Sequence, residues 1–294
     1  MNESDPAMGG VSSSVGSAAP VVIPWARAIR FPGAAGAVPC SSVHPILLES
    51  SSRISALIDV LALAGGLLAF EFSAGLVIGI LKPEAFPSNG ASDEGPPDSG
   101  LLLPVLAIRA LVTVLIVAVI LRKRRQPITS LGVMGKGVFL DTLIGVTAVP
   151  FCYLSMMAAT LLTFWMFPEM SDQMEENARK IMNLVPRLRP IEFVGFAFLV
   201  GFYEELIFRG FWMTRLRRAT SSWTISALLT TALFAGLHAF DQTLVAVMNV
   251  TILSLLFSAL TMLRRSLLPA ITAHALFDLS QFLYLLYRAG DSWK

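Results

Sequence analysis

The chain has few charged residues and few cysteines. Charged residues make up 14% of its 294 residues, against roughly 25% in an average soluble domain. Hydrophobic residues reach 55% before the 21 glycines are counted, whereas soluble domains reach about 45–50% with glycine included. The net charge of +2 gives no electrostatic footprint for nucleic acid. A soluble cytosolic enzyme, a disordered chain and a nucleic-acid binder are therefore excluded.

Two cysteines, Cys40 and Cys152, are too few for a disulfide framework or a thiolate metal cage. Residues 1–52 are rich in Ser, Gly, Ala, Val and Pro and lack the features of a secretory signal peptide. This composition predicts a disordered cytoplasmic tail. An organellar transit segment is the alternative, because the tail has few acidic residues and contains Arg27 and Arg30.

Residues 53–294 form the second predicted domain, an all-α, polytopic transmembrane helical bundle of about seven spans. Each apolar stretch is long enough to cross roughly 30 Å of hydrocarbon at about 1.5 Å per residue. The third stretch is long enough to tilt or to contain a break at Pro150, and residues 169–190 predict an interfacial amphipathic helix broken at Pro186. The predicted spans are 54–81, 101–121, 138–167, 191–213, 223–240, 243–263 and 267–287.

Basic clusters follow the second, fourth and sixth spans. They are Arg122 to Arg125 with Lys123 among them, then Arg215, Arg217 and Arg218, and then Arg264 with Arg265. Because basic residues concentrate on the cytoplasmic side, this alternation predicts a cytoplasmic N-terminus. The topology is compatible with a multi-pass protein of the bacterial plasma membrane.

Ionisable side chains at membrane depth are costly, at least about 2.5–3.5 kcal/mol each on insertion scales, and indicate function by default. Four isolated ionisable residues in the first three spans are better explained by packing, snorkelling or helix pairing. They are Asp59, Glu71, Arg109 and Asp141. Six more fall within three later spans, which packing alone does not explain; they are Glu204, Glu205, Arg209, His238, His274 and Asp278.

The fourth span predicts two different roles for its adjacent glutamates. Glu205 and Arg209 have the i,i+4 spacing of an intrahelical ion pair, with the acid on the favourable N-terminal side. Because adjacent helical residues point about 100° apart, Glu204 and Glu205 are expected to serve different partners. Glu204 is left without an intrahelical partner, which suits a carboxyl that must both take and give protons.

Histidines on the fifth and seventh spans complete the candidate set. His238 lies near the end of its span, where an interfacial structural role is the alternative. His274 and Asp278 are again at i,i+4, so the carboxylate can orient the imidazole, and the pair can offer donors to an oxyanion. A buried pair that only holds helices together is the alternative.

No motif supports a serine, thiol or helical zinc mechanism. The serines lack a G-x-S-x-G elbow, Cys152 has no motif of its own, and no H-E-x-x-H is present. What remains is a carboxylate and two histidines that activate water, either directly or on a metal held by Glu204, His238 and His274.

The candidate residues form three sequence blocks: Glu204, Glu205 and Arg209, then Phe234 and His238, then His274 and Asp278. In residue type, spacing and order, these blocks resemble those of the CPBP family of intramembrane proteases, which includes the type II CAAX prenyl proteases. The resemblance covers about residues 100–287. It implies an integral-membrane endopeptidase acting on a peptide or protein substrate, lipidated in the eukaryotic members.

The resemblance also implies a role for each residue. Glu204 activates water with help from His238, His274 and Asp278 stabilise the oxyanion, and Glu205 and Arg209 hold the site in shape. Asp278 stands where many members have Asn, so it would have to be protonated or act through His274. A zinc cofactor is one of two mechanisms that the family leaves open.

The predicted boundaries place His238 near the outer end of its span and Glu204 nearer the cytoplasm. A shared site therefore requires staggered helices, or a fourth helix that continues past Gly210 towards Arg217. We expect an internal cavity that opens towards the cytoplasm. Two other functions stay open: a non-catalytic membrane scaffold or immunity protein of the same fold, and a proton-coupled transporter, for which no inverted repeat is evident.

Overall fold

The computed structural model describes residues 53–81, 99–132, 137–184, 188–240 and 242–289, and these ranges contain helices joined by short turns. A π-helical segment, Leu206–Trp212, joins α5 to α6 without a break. No strand occurs within these ranges, which confirms the all-α bundle. The helices are α1 (Arg53–Leu81), α2 (Ser99–Lys123), α3 (Val138–Met166), α4 (Gln173–Leu184), α5 (Pro190–Glu205), α6 (Met213–Thr220), α7 (Trp223–His238), α8 (Leu244–Arg264) and α9 (Leu268–Ala289).

Each predicted span coincides with a helix, and four of the described helices, α1, α2, α3 and α8, are long and apolar enough to cross a membrane. Helix α7 is apolar but has only 16 residues, or about 24 Å at 1.5 Å per residue. The chain is therefore a helical membrane protein, while the total of seven spans stays a prediction.

Two predicted interruptions have different outcomes. Helix α3 continues through Pro150, so the third span is not broken there. The predicted amphipathic helix is present as α4, which ends at Leu184, and Pro186 lies outside the described residues. The predicted N-terminal tail, 1–52, also lies outside them.

Large apolar side chains cover the outer surface of the first three helices. Phe72, Phe139 and Trp165 are each more than three-quarters exposed. Water would penalise such a surface, whereas hydrocarbon tails accept it. This exterior matches the assignment of these helices as membrane spans.

Two glycines let α9 approach its neighbours closely. A Cβ atom at Gly201 of α5 would lie 3.0 Å from the backbone nitrogen of Ala275, and one at Gly145 of α3 would lie 2.7 Å from the carbonyl oxygen of Pro269. Because only glycine lacks a Cβ atom, these positions bring the backbones together. Helix α9, which carries His274 and Asp278, is thereby held between α3 and α5.

The four isolated charges of the early spans all have oppositely charged partners on another helix or at its end, which confirms their predicted role in helix pairing. The pairs are Asp59 with Arg124 and Arg215, Glu71 with Arg109, and Asp141 with Arg264.

Replacing Asp59 by Asn should destabilise the bundle, because the side chain of Arg215 is only 2% exposed and would lose the carboxylate that lies 3.4 Å from its Nε. We expect unfolding in detergent to become easier by about 1–3 kcal/mol. Glu176→Gln is the control, since the exposed Glu176–Lys180 pair on α4 should contribute at most about 1 kcal/mol. Equal stability of the two variants would contradict this assignment.

Candidate active site

One long helical run sets the depth of the candidate site. Helix α5 continues through the π-helical segment and α6 to Thr220, so the predicted continuation past Gly210 is confirmed. Glu204 lies 16 residues before Thr220, and His238 lies 16 residues after Ser222, where α7 is capped. Because the two runs are antiparallel and joined by a tight turn, Glu204 and His238 reach similar depths.

Four of the predicted residues line one cavity of about 530 Å³, called here the candidate cavity. They are Glu204, His238, His274 and Asp278. They come from α5, α7 and α9, so the structure brings together side chains that are far apart in the sequence. The remaining wall is mostly apolar and includes Leu106, Val200, Phe234, Leu253 and Phe277.

The Glu205–Arg209 pair lies beside the candidate cavity and is fully buried. Arg209 Nη1 donates to Glu205 Oε1 at 2.7 Å, and both side chains are 0% exposed. Arg209 Nη2 donates to the hydroxyl and the carbonyl oxygen of Ser254 at 2.7 and 3.0 Å. The predicted intrahelical ion pair is confirmed, and it also binds the π-helical segment to α8.

Aromatic rings surround the buried guanidinium of Arg209. Its central carbon lies 4.9 Å from the ring centre of Phe234 and 5.6 Å from that of Phe257. Cation–π attraction therefore adds to the ion pair in a site without water access. The imidazole of His274 stacks on Phe257, with ring centres 5.0 Å apart, so one phenyl ring supports both polar side chains.

His274 lies among three carboxylates. Its Nδ1 donates to Glu205 Oε1 at 2.9 Å, while its Nε2 lies 3.4 Å from Asp278 Oδ2 and 3.8 Å from Glu204 Oε2. The expectation that Glu204 and Glu205 serve different partners is wrong. An imidazole presents nitrogens on two edges, so one ring fits between two carboxylates that point in different directions.

A backbone contact sets the orientation of His238. Its Nδ1 lies 2.8 Å from the carbonyl oxygen of Phe234. Since a carbonyl oxygen only accepts hydrogen bonds, Nδ1 must carry the proton. In the neutral ring Nε2 is then an acceptor, and His238 reaches the candidate cavity with a nitrogen able to take a proton from water.

Glu204 has one hydrogen bond from its neighbour. The hydroxyl of Tyr203 donates to Glu204 Oε1 at 3.2 Å, and the side chain of Glu204 is 16% exposed. Its contact with His274 Nε2, at 3.8 Å, is longer than a hydrogen bond, as is common in sites without a bound substrate. Glu204 and Asp278, at 16% and 22% exposed, therefore both present a carboxylate to the cavity, whereas Glu205 is fully buried.

The predicted metal set does not fit a single ion as the side chains stand. His238 and His274 each direct Nδ1 at an oxygen atom, which leaves Nε2 as the nitrogen that could bind a metal, as in many metal-binding histidines. Yet within the described residues no three His, Cys, Asp or Glu side chains are grouped closely enough to hold one metal ion. Zinc binding by Glu204, His238 and His274 stays an untested prediction.

Helix α4 covers the candidate cavity at the end away from the basic clusters. Its Gln173 and Asn177 side chains accept hydrogen bonds from the backbone nitrogens of Val245 and Thr243, at the start of α8. These bonds satisfy amide groups that a helix start leaves unpaired. Met174, Asn177 and Ala178 of α4 line the cavity.

The expected opening towards the basic clusters is not observed. The lining residues of α2, Leu106 and Arg109, lie in its first half, whereas its basic residues lie at the end. Those of α9 run from His274 to Leu285, away from the turn that follows Arg264 and Arg265. The cavity therefore occupies the half of the bundle that α4 covers. Hydropathy predicted where the spans lie in the sequence, but it could not predict how α4 packs against them.

Sequence reasoning missed Tyr203 and Ser254. In the sequence, Tyr203 looks like any aromatic residue of a membrane span, and Ser254 lies in an apolar stretch with no motif. Arg109 was recognised as an ionisable residue at depth, but not as part of the cavity wall, where it lies. Only contacts between helices reveal these three positions.

Residues 186–280, about a third of the chain, match the family model described as "Type II CAAX prenyl endopeptidase Rce1-like". The match confirms the family resemblance, and the matched range contains all six predicted site residues. No curated protein sequence and no solved structure matches the chain.

Proposed function

We propose that the protein is an intramembrane endopeptidase that hydrolyses a peptide bond in the candidate cavity with water activated by Glu204. The observation that carries this proposal is the convergence of Glu204, His238, His274 and Asp278 on one cavity. The matched family supports the reaction class, since its name describes a prenyl endopeptidase. We propose a peptide or protein substrate, with lipidated proteins among the candidates.

In the first step Glu204 accepts a proton from water, and the resulting hydroxide attacks the scissile carbonyl. His238 holds that water, because its Nε2 can accept a hydrogen bond while Nδ1 stays on the carbonyl of Phe234. The tetrahedral intermediate carries its negative charge on the former carbonyl oxygen. Glu204 then returns its proton to the leaving amine, and the peptide bond breaks.

His274 is the proposed donor to the oxyanion. Glu205, already paired with Arg209, accepts from Nδ1, and Nε2 faces the candidate cavity between Glu204 and Asp278. An imidazolium in this position can donate Nε2–H to the oxyanion. Asp278 acts through His274 by favouring the charged ring, and it need not donate a proton itself.

The experiment that tests this proposal is cleavage of a mixed panel of plain and prenylated peptides by the purified full chain, with products identified by mass spectrometry. We expect defined internal cuts, each adding one water to the sum of the product masses. Absence of cleavage across the panel, by protein that is folded and reconstituted in lipid, would argue against the proposal.

We further propose that the basic ends face the cytoplasm, so that α4 and the candidate cavity lie towards the opposite side. In a background with Cys40→Ser, Asp172→Cys beside α4 should react with a membrane-impermeant maleimide on intact bacterial cells. Lys123→Cys, at the basic end of α2, should react only after permeabilisation. The reverse labelling pattern would invert this orientation.

A further inference from the structure

Arg109 is the one lysine or arginine among the described residues that line the candidate cavity. The same wall carries Glu204 and Asp278, both acidic. A substrate carboxylate entering this enclosed space would meet two carboxylates, and the positive charge of Arg109 would offset that repulsion.

The guanidinium of Arg109 is only partly engaged. Its Nε donates to Glu71 on α1, and the side chains of Arg109 and Glu71 are 37% and 40% exposed. A guanidinium has five N–H donors in a planar fork, so one edge can donate to Glu71 while the other donates to a second carboxylate. Glu71 does not line the cavity, and the two acids would not compete for the same space.

Tyr203 connects Arg109 to the reactive carboxylate. The phenol interacts electrostatically with Arg109 and donates to Glu204 at 3.2 Å. Arg109, Tyr203 and Glu204 all line the candidate cavity. Because an extended residue spans about 3.3–3.6 Å and the cavity measures about 530 Å³, a carboxylate on Arg109 would lie within a few residues of the bond under attack.

We propose that Arg109 binds a carboxylate of the peptide substrate and thereby sets the position of the cut. This inference rests on the proposed function. The carboxylate has two sources, the free C-terminus of the substrate or an Asp or Glu side chain beyond the scissile bond. A role in helix pairing alone explains the contact with Glu71, but it gives no reason for Arg109 to reach the cavity beside Tyr203.

The test uses the best-cleaved peptide of the panel in three forms: with a free C-terminal carboxylate, with a C-terminal amide, and with the amide plus a Glu two residues after the cut. The wild-type chain should prefer a carboxylate-bearing form over the plain amide by about 10- to 100-fold in kcat/KM. Preference for the first form identifies the C-terminus as the source, and preference for the third identifies a side chain.

Arg109→Gln should reduce the ratio of kcat/KM between the carboxylate-bearing form and the plain amide to about 1, even if it also changes the rate on all three forms. Arg109→Lys should keep part of this ratio because the charge remains. Glu71→Gln, which removes the partner but keeps the fork, should retain the ratio. An unchanged ratio in Arg109→Gln, or no preference in the wild type, overturns this inference and leaves the proposed function standing. If the folded wild type cleaves no peptide of the original panel, the proposed function itself fails.

Discussion

Glu204→Gln is expected to lower kcat by about 10²–10⁴-fold, the range that a positioned acid–base group contributes. Glutamine keeps the size and the hydrogen bond from Tyr203, but it can neither take a proton from water nor return one to the leaving amine. KM should change little, because Glu204 acts on water and on the transition state. The measurement is steady-state cleavage of the best panel peptide by purified protein.

Glu192→Gln is the matched control for this variant. Glu192 lies on the same helix, α5, where it pairs with Arg189 at the exposed start, and it does not line the candidate cavity. Because an exposed ion pair contributes little free energy, this replacement should leave kcat within a factor of about two. Equal activity of Glu204→Gln and Glu192→Gln would remove Glu204 from the mechanism.

Arg209→Met is expected to destabilise the folded chain by about 3–5 kcal/mol, because it leaves the Glu205 carboxylate buried without its cation. Both side chains are 0% exposed, so water cannot take over the lost interaction. The contacts with Ser254 and the rings of Phe234 and Phe257 would be lost as well. Denaturant unfolding in detergent measures the change.

The double variant Glu205→Gln/Arg209→Met separates the charge effect from packing. It removes the buried carboxylate, while the glutamine oxygen can still accept from His274 Nδ1. We expect it to be more stable than Arg209→Met alone. If the double variant is the less stable of the two, the pair stabilises the fold through packing and not through charge neutralisation.

Hydropathy was sufficient to locate the helices, because each predicted span is a continuous apolar stretch with a polar or basic end. The i,i+4 spacing likewise predicted the Glu205–Arg209 pair, since that contact is local to one helix. Interactions between helices were beyond such reasoning. The hydrogen bonds from Arg209 to Ser254 and from the start of α8 to α4 depend on how distant segments pack.

The shared imidazole contact shows why local geometry misleads at a site. Angles along one helix predicted separate partners for Glu204 and Glu205. His274 arrives from α9 with two nitrogens, and the helix changes from α to π at Leu206, immediately after both glutamates. Segments of π-helix occur frequently at functional sites, and this one adjusts the positions of Arg209 and Gly210, which apolar periodicity cannot predict.

The most direct test of the central claim, that Glu204 and His238 act on one water molecule, is a double-variant cycle. The kcat values of Glu204→Gln, His238→Gln and the double variant would be compared with that of the wild type on one peptide. Residues that act as a unit show strongly non-additive effects, so we predict that the double variant is no slower than the slower single variant. Two independent losses that multiply in the double variant would contradict a shared site.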